Sequence, residues 1–334
     1  MSLGRIVTQD GVGTPLGDGH PLIELMLARL ASGSRRGART DGAVIALAVE
    51  GGGSCGVISG GMCLLMEKTG LIDAVDVIYG TSSGALNGSF TASGQAALGA
   101  TNYLDVASSR FANPLRVLTG RAVLDFSFLF DELIYSRKPY SLEGLRAGPD
   151  FRAVCVDLDS SRIEVLLDFA DTGELTEAVR VSCSLPLLAD LPAAFRGRQM
   201  ADGSLMESIP YRTALEGEAT HVLALRSHTE SHRHDPYPRA LIELARRAAH
   251  PAVAPLMQAR PDRYNAEAEH LSLAGDDPHL FQIVPPGTTP RIGLLELSVQ
   301  TIRDGLAAGA GAAAAAFGLP PVEVLWQPEL YTGS

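Results

Sequence analysis

A glycine-flanked pair of serines is the clearest candidate for chemistry in this sequence. Residues 80–84 are Gly-Thr-Ser-Ser-Gly and fit the pattern G-x-S-x-G. Between a strand and a helix, this pattern lifts a serine hydroxyl above the sheet, where it can act as a nucleophile. The apolar VDVIY before it and the helix-compatible ALNGSFTAS after it supply that context. Ser82 is therefore the predicted nucleophile, Gly80 and Gly84 permit the tight turn, and Ser83 is assigned a structural role.

A run of glycines marks a second candidate site. The apolar residues 43–49 lead into Glu50 and three glycines, and a helical pattern follows. Backbone N–H groups at such a helix start can converge on an anion. Acyl transfer by a serine builds negative charge on the carbonyl oxygen, so the loop is predicted to form an oxyanion hole. Its residues are Gly51, Gly52, Gly53, Ser54, Cys55 and Gly56.

The same glycines allow two other interpretations. Gly51, Gly53 and Gly56 match the G-x-G-x-x-G spacing of nucleotide-binding loops. However, no acid ends the second predicted strand and no Walker lysine follows the glycines, which counts against a nucleotide. A tight turn without any ligand is the other alternative.

A nucleophilic serine needs a base, and the histidines offer no compelling one. His228, His232 and His234 lie in SHTESHRHD, which we interpret as a polar surface loop. Asp202 in RQMADGSLMESIPY is the stronger candidate for a catalytic acid-base group. Asp-Gly is also a common turn sequence, so a purely structural role stays open.

Taken together, the three ordered motifs resemble the patatin-like phospholipase family. The glycine loop, G-x-S-x-G and the late Asp-Gly follow in the family's order, and EAVRVSCSLPLL resembles its segment before the acid. The resemblance covers roughly residues 43–225. It implies a Ser82–Asp202 dyad without histidine, a lipid ester as substrate, and no metal or organic cofactor. A phospholipid or lysophospholipid is the substrate class it suggests.

Two positions depart from the family's pattern. Glu50 stands where the family usually has Asp or a small residue, and Cys55 stands where it commonly has Arg or Lys. A neutral thiol cannot replace that positive charge. A catalytically weakened lipid-binding or regulatory protein on the same fold is therefore the alternative function. Cys55 itself is interpreted as a small buried residue or as a thiol activated by the helix start.

Alternating strand and helix patterns predict an α/β fold with a mainly parallel sheet flanked by helices. The resemblance makes this a patatin-like three-layer architecture. Residues 1–41 are predicted to be an N-terminal arm with a short helix at 21–31 and a basic linker at 32–40. That linker is interpreted as solvated, with a lipid-headgroup patch as the alternative. Residues 42–334 are predicted to form a single hydrolase domain.

Composition restricts the partners and the compartment. The net charge of −11 argues against a nucleic-acid partner. Four dispersed cysteines without a C-x-x-C pair argue against a zinc site or a disulfide framework and favour a reducing compartment. Neither a signal peptide nor a membrane span is evident, so a cytoplasmic protein with peripheral membrane contact is expected. Secretion by a leaderless route is the alternative. No sequence feature specifies an oligomeric state.

Overall fold

The computed structural model describes residues 19–119, 121–189, 193–248 and 250–320. Most of the predicted N-terminal arm, residues 1–18, lies outside the described residues, as do residues 321–334. An eight-stranded sheet organises the rest. Its strands are β1 Ile45–Val49, β2 Val77–Thr81, β3 Asp150–Asp157, β4 Arg162–Leu166, β5 Ala193–Phe195, β6 Arg198–Asp202, β7 His221–Leu225 and β8 Leu280–Ile283.

The sheet is mixed and mostly parallel. Its order is β5-β6-β3-β2-β1-β7-β8, and β4 pairs with β3 beside this path. The strands β1, β2, β3, β7 and β8 pair in parallel, whereas β4, β5 and β6 pair antiparallel. All of β1 is buried, as expected for a central parallel strand covered on both faces.

Helices cover both faces of the sheet. They are α1 Pro21–Ala31, α2 Val57–Thr69, α3 Ser83–Ala92, α4 Ala96–Val106, α5 Leu142–Ala147, α6 Thr172–Ser182, α7 Tyr211–Glu216, α8 Arg239–Ala248, α9 Val253–Leu273 and α10 Val299–Ala316, with a π-helix at Ser127–Arg137. On β1, Leu47 packs into the large core with α2, α3 and α10. The next residue, Ala48, packs into a smaller core with α7 and α9. The predicted three-layer α/β architecture is confirmed.

Element boundaries follow local capping signals. The predicted helix at 21–31 is present as α1. Helix α2 is terminated by Gly70, whose φ of +77° lies in the left-handed region that glycine adopts most readily. The helix predicted from about Leu294 begins instead at Val299. Ser298 explains the difference, because its hydroxyl accepts the N–H of Thr301 as an N-cap and ends the extended segment before it.

The basic segment at 32–40 lies against the domain. Three of its arginines form ion pairs with acids near the ends of β2 and β3: Arg35 with Asp73, Arg36 with Asp150, and Arg39 with Asp76. These guanidinium groups therefore already have carboxylate partners. Among the described residues, no helix combines the length and apolarity needed to cross a membrane.

Close backbone contact joins α2 to α10. A Cβ at Gly309 would lie 1.8 Å from the carbonyl oxygen of Ile58, and one at Gly61 would lie 2.1 Å from that of Leu306. Because backbone cannot move aside as a side chain can, the two helices need glycine here. The glycine loop leads directly into α2, so the packing of α10 on α2 also holds the predicted oxyanion hole in place.

Gly309→Ala is expected to lower the free energy of unfolding by about 1–3 kcal/mol, because the added methyl forces α2 and α10 apart. Gly311→Ala is the matched control. It lies on the same helix, is exposed, and has no atom within 4 Å of the added Cβ. Alanine there should stabilise the helix by up to about 1 kcal/mol. Urea unfolding of both variants measures the difference, and equal values would contradict the packing role.

Candidate active site

Ser82 occupies the turn between β2 and α3. Its φ of +57° and ψ of −129° are unusual for a residue with a side chain. The flanking glycines make the turn sterically feasible. A Cβ at Gly80 would lie 2.5 Å from Cα of Ala85, and one at Gly84 would lie 2.2 Å from the carbonyl oxygen of Val49. Ser82 is thus held in a strained conformation by close packing on both sides.

A second serine holds the turn in place. The backbone N–H of Ser82 donates to Oγ of Ser182 over 3.0 Å, and that hydroxyl donates to the carbonyl oxygen of Val154 over 2.7 Å. Ser182 is fully buried at the end of α6. Ser182 is a positioning residue that no sequence motif predicts. Nothing in EAVRVSCS shows that one of its serines faces the turn one hundred residues earlier.

Strand register brings Asp202 to Ser82. On β3, Val154 pairs with Thr81 of β2, and the next residue, Cys155, pairs with Asp202 of β6. The carboxyl-terminal ends of β2 and β6 therefore pair with neighbouring residues of β3, which brings Ser82 and Asp202 close together. Gly203 makes the junction tight, since a Cβ there would lie 2.4 Å from the carbonyl oxygen of Val154.

The carboxylate of Asp202 is fully buried and half satisfied. Its Oδ1 accepts the N–H of Ser204 over 2.8 Å. Its Oδ2 forms no hydrogen bond of acceptable distance and angle with the described residues. Burial raises the pKa of Asp202, and the nearby Ser82 hydroxyl and Ser204 oppose that shift. The Ser82 hydroxyl is thus close to the carboxylate without a well-formed hydrogen bond to it. Such loose contacts are usual for catalytic groups before substrate binds.

The glycine loop packs against the serine. A Cβ at Gly51 would lie 2.9 Å from Cβ of Ser82. Gly52 and Gly53 have φ values of +145° and +60°, which side chains rarely adopt. Neither of their N–H groups has an acceptor in the described part of the chain.

Three other N–H groups of the predicted oxyanion hole are already used. Those of Gly51, Ser54 and Cys55 donate to the carbonyl oxygens of Ser208, Leu294 and Gly52, respectively. Gly56 packs against Ser83, where a Cβ would lie 2.3 Å from Oγ. Gly52 and Gly53 are therefore the residues of the loop that we assign as oxyanion donors, because no acceptor is found for their N–H groups among the described residues.

The Cys55 side chain points into the protein. It is 6% exposed, and its thiol donates to the carbonyl oxygen of Ile292 over 2.9 Å. This contact favours the interpretation of Cys55 as a buried packing residue over that of a reactive thiol.

A buried ionic network begins at Glu50, directly before the glycine loop. Its two carboxylate oxygens accept hydrogen bonds from Arg226, Ser227, His228 and Tyr264. The side chains of Glu50 and Arg226 are both 0% exposed. Burial by itself would raise the pKa of Glu50. The positive charge of Arg226, and then that of His228, outweigh burial, so the pKa is lowered. Glu50 is therefore a buried anion with a complete set of partners.

His228 places a basic side chain against the loop. Its Nδ1 lies 2.8 Å from Oε1 of Glu50. Burial opposes protonation of the ring, but Glu50 and Cys55 outweigh it and raise the pKa of His228 to about 9. A Cβ at Gly52 would lie 3.0 Å from Cε1 of this ring. The interpretation of SHTESHRHD as a purely polar surface loop is thus wrong for His228, which is half-buried beside the glycines.

An apolar cavity opens at Ser82. It encloses about 680 Å³ including its mouth. Its apolar walls come mainly from α4, the segment after it, and the segments around Leu185 and Leu294. The principal apolar lining residues are Leu86, Val106, Phe111, Leu124, Phe126, Leu129, Leu185, Leu188 and Leu294. Such a lining suits an acyl chain more than a phosphate or a sugar.

Another buried acid supports the segment after Asp202. Glu267 of α9 accepts the N–H groups of Ser208 and Ile209 over 3.1 and 3.3 Å. Ser208 in turn accepts the N–H of Gly51. Burial, and then the neighbouring Glu207, raise the pKa of Glu267 to about 8. At neutral pH the folded protein therefore holds this carboxyl group protonated, whereas the unfolded chain ionises it.

This difference predicts that stability falls as pH rises. Between about pH 4.5 and 8 the folded state binds more protons at Glu267 than the unfolded state does, so the free energy of unfolding decreases. Glu267→Gln should remove that slope and stabilise the protein at pH 8 by on the order of 3 kcal/mol. Urea unfolding from pH 5 to 8 measures it. The exposed Glu269→Gln on the same helix is the control, and equal slopes for both variants would refute the assignment.

Comparison with known proteins places this geometry in a family. The family model for patatin-like phospholipases matches residues 47–215, just over half of the chain. That range contains the glycine loop, Ser82 and Asp202. A search of curated proteins gave no match.

Among solved structures, VipD from Legionella pneumophila is similar, with a TM-score of 0.42 and 11% sequence identity. The similarity covers 82% of this chain and 66% of that one, so this chain spans just under two thirds of VipD. On the match to its family model, this chain belongs to the patatin-like phospholipase family.

Proposed function

We propose that this protein hydrolyses carboxylic ester bonds of phospholipids or lysophospholipids through an acyl-Ser82 intermediate. Membership of the family supports a lipid acyl hydrolase in general. The observation that carries the finer proposal is the unpartnered Oδ2 of buried Asp202, next to a strained serine at the mouth of an apolar cavity. Buried carboxylate oxygens normally have hydrogen-bond partners. A base that must accept a proton needs one oxygen available.

In the proposed reaction Asp202 transfers one proton in each half of the cycle. It accepts the proton of the Ser82 hydroxyl while Oγ attacks the ester carbonyl, and the N–H groups of Gly52 and Gly53 stabilise the resulting oxyanion. Asp202 then protonates the leaving alcohol as the ester C–O bond breaks. In the second half it deprotonates a water molecule that attacks the acyl-Ser82 carbonyl, and it returns that proton to Oγ of Ser82 as the fatty acid leaves. The raised pKa of Asp202 makes it a stronger base than an ordinary aspartate.

Contact with a lipid surface is proposed at the cavity mouth. Leu294 lines the cavity and is 44% exposed, and Leu297 and Val299 close to it in sequence are 48% and 41% exposed. These side chains offer an apolar edge beside the route that an acyl chain would take. We also propose that residues 42–334 act as one hydrolase domain, because the strands from β1 to β8 form one sheet and α10 packs on α2.

The alternative is a weakened protein that binds lipid without rapid turnover. It rests on Cys55, which brings no positive charge to the loop. His228 offers a basic group beside Gly52 from another part of the chain, and this favours the hydrolase.

Two measurements test the proposal together. Hydrolysis of p-nitrophenyl esters of increasing chain length, followed by phosphatidylcholine and lysophosphatidylcholine, establishes activity and substrate class. A fluorophosphonate probe should label wild type and Ser93→Ala, a control at the end of α3, but leave Ser82→Ala unlabelled. Labelling or turnover retained in Ser82→Ala would rule out the assigned nucleophile. Inactive wild type that still binds lipid would favour the alternative.

A further inference from the structure

Three histidines form a cluster behind the glycine loop that the proposed reaction does not use. His228, His232 and His234 follow β7, and one ring nitrogen from each lies within 4.8 Å of the other two. The ring centroids of His228 and His232 are 4.2 Å apart, and those of His232 and His234 are 5.1 Å apart. None of the three lines the cavity at Ser82.

We propose that His228, His232 and His234 bind a divalent transition metal, with zinc as the expected ion and a fourth coordination position for water. Three imidazoles with one open position are an established zinc ligand set. A tetrahedral zinc with Zn–N bonds of 2.0–2.1 Å places its ligand nitrogens about 3.3 Å apart. The observed separations therefore require a contraction of about 1.5 Å or less, which a partly exposed loop can accommodate.

One unpaired ring nitrogen in the cluster indicates a missing partner. Nε2 of His232 is buried and has no hydrogen-bond partner among the described residues. Buried polar nitrogens are rarely left so. A metal ion bound by the three rings would supply the missing partner of this nitrogen.

The other two ligands are positioned by a second layer of residues. Nδ1 of His228 is hydrogen-bonded to Glu50, which leaves Nε2 as the nitrogen for a metal and increases its basicity as a ligand. Metal binding at Nε2 displaces the proton from that nitrogen, as it does at other histidine ligands. The backbone of His234 is fixed by Asn265 of α9, which accepts its N–H over 2.8 Å and donates to its carbonyl oxygen over 3.0 Å. Carboxylate–histidine pairs of this kind are typical outer partners of zinc.

The donor set indicates the type of ion and its role. Imidazole nitrogens suit zinc, copper and nickel, whereas calcium and magnesium require oxygen ligands, and the Glu50 oxygens are already engaged. Gly52 packs against His228, so a bound metal would fix the loop that carries the proposed oxyanion donors. The inferred role is structural support of that loop. The prediction of no metal followed the family resemblance and the dispersed cysteines, and the proposed histidine site departs from it.

Cobalt(II) and zinc(II) titrations test the site. Cobalt should bind in one equivalent with the intense visible absorption of tetrahedral coordination, and zinc should displace it. Loss of an outer-layer partner already weakens metal binding 10–100-fold, so His232→Ala and His234→Ala should each weaken it by more than about a hundredfold. The exposed His270→Ala should bind as wild type does. Ser82→Ala should also bind fully, which separates this test from the proposed function.

Two further results decide the outcome if a variant is unstable. Zinc above its Kd should raise the thermal midpoint of wild type roughly with the logarithm of its concentration and leave those of His232→Gln and His234→Gln unchanged. Equal binding by all variants, no binding by wild type after extensive removal of contaminating metal, or a weak octahedral cobalt spectrum would overturn the proposal.

Discussion

Asp202→Asn is expected to lower kcat for a short p-nitrophenyl ester by about a thousandfold, with a much smaller change in KM. Asparagine keeps the size of the side chain and can still accept the N–H of Ser204, but it cannot take the proton of Ser82. Loss of a general base typically costs 10²–10⁴-fold in rate. Asp157→Asn is a matched control, because this buried aspartate lies on β3 and binds Arg198 and Ser160.

The pH profile gives an independent measure of the same group. Burial raises the pKa of Asp202, so the acidic limb of kcat/KM should have its midpoint above the ordinary aspartate value of about 3.9. Activity should rise with pH through that midpoint as the carboxylate forms. An Asp202→Asn variant that retains a tenth of wild-type kcat would rule out the aspartate as the base.

Glu50→Gln is expected to lower the free energy of unfolding by about 3–5 kcal/mol. The change leaves the guanidinium of Arg226 without its carboxylate in a position with no exposure to water. Removing one partner of a buried ion pair is costly for this reason. Urea unfolding in the presence of a chelator measures the effect without any contribution from bound metal.

A double variant separates the ion pair from mere packing. Glu50→Gln combined with Arg226→Met removes both charges, and it should recover most of the stability lost in the single variant. Glu174→Gln breaks the exposed pair with Arg196 and should cost less than about 1 kcal/mol. A single variant as stable as wild type, or a double variant no better than the single, would contradict the role assigned to Glu50.

Local sequence determined much of the fold and part of the candidate site. The G-x-S-x-G turn and the Asp-Gly step can be predicted from sequence because strand, turn and helix signals adjoin them in the chain. Which N–H groups of the glycine loop stay unpaired cannot be predicted in this way, since Ser208 and Leu294 accept the donors next to Gly52 and Gly53. Those acceptors come from distant segments, and no local pattern specifies them.

The histidines show the same limit. SHTESHRHD is polar in composition, which favours an exposed loop. The position of His228 is decided by its contact with Glu50, which lies 178 residues earlier in the sequence. The sequence around Phe111 and Phe126 shows no periodic pattern that predicts its structure. These residues form part of the wall of the cavity next to α3 and α4, and that position depends on the tertiary fold.

The contact between α2 and α10 has a consequence for biosynthesis. The helix that follows the glycine loop receives its close-packed support from a segment that the ribosome makes much later. Ser54 and Cys55 likewise bond to residues 292–294. We therefore expect a nascent chain arrested before α10 emerges to contain Ser82 and Asp202 but to resist fluorophosphonate labelling. Labelling of stalled and released chains would measure this delay, which would keep an unfinished hydrolase from acting on lipid during its own translation.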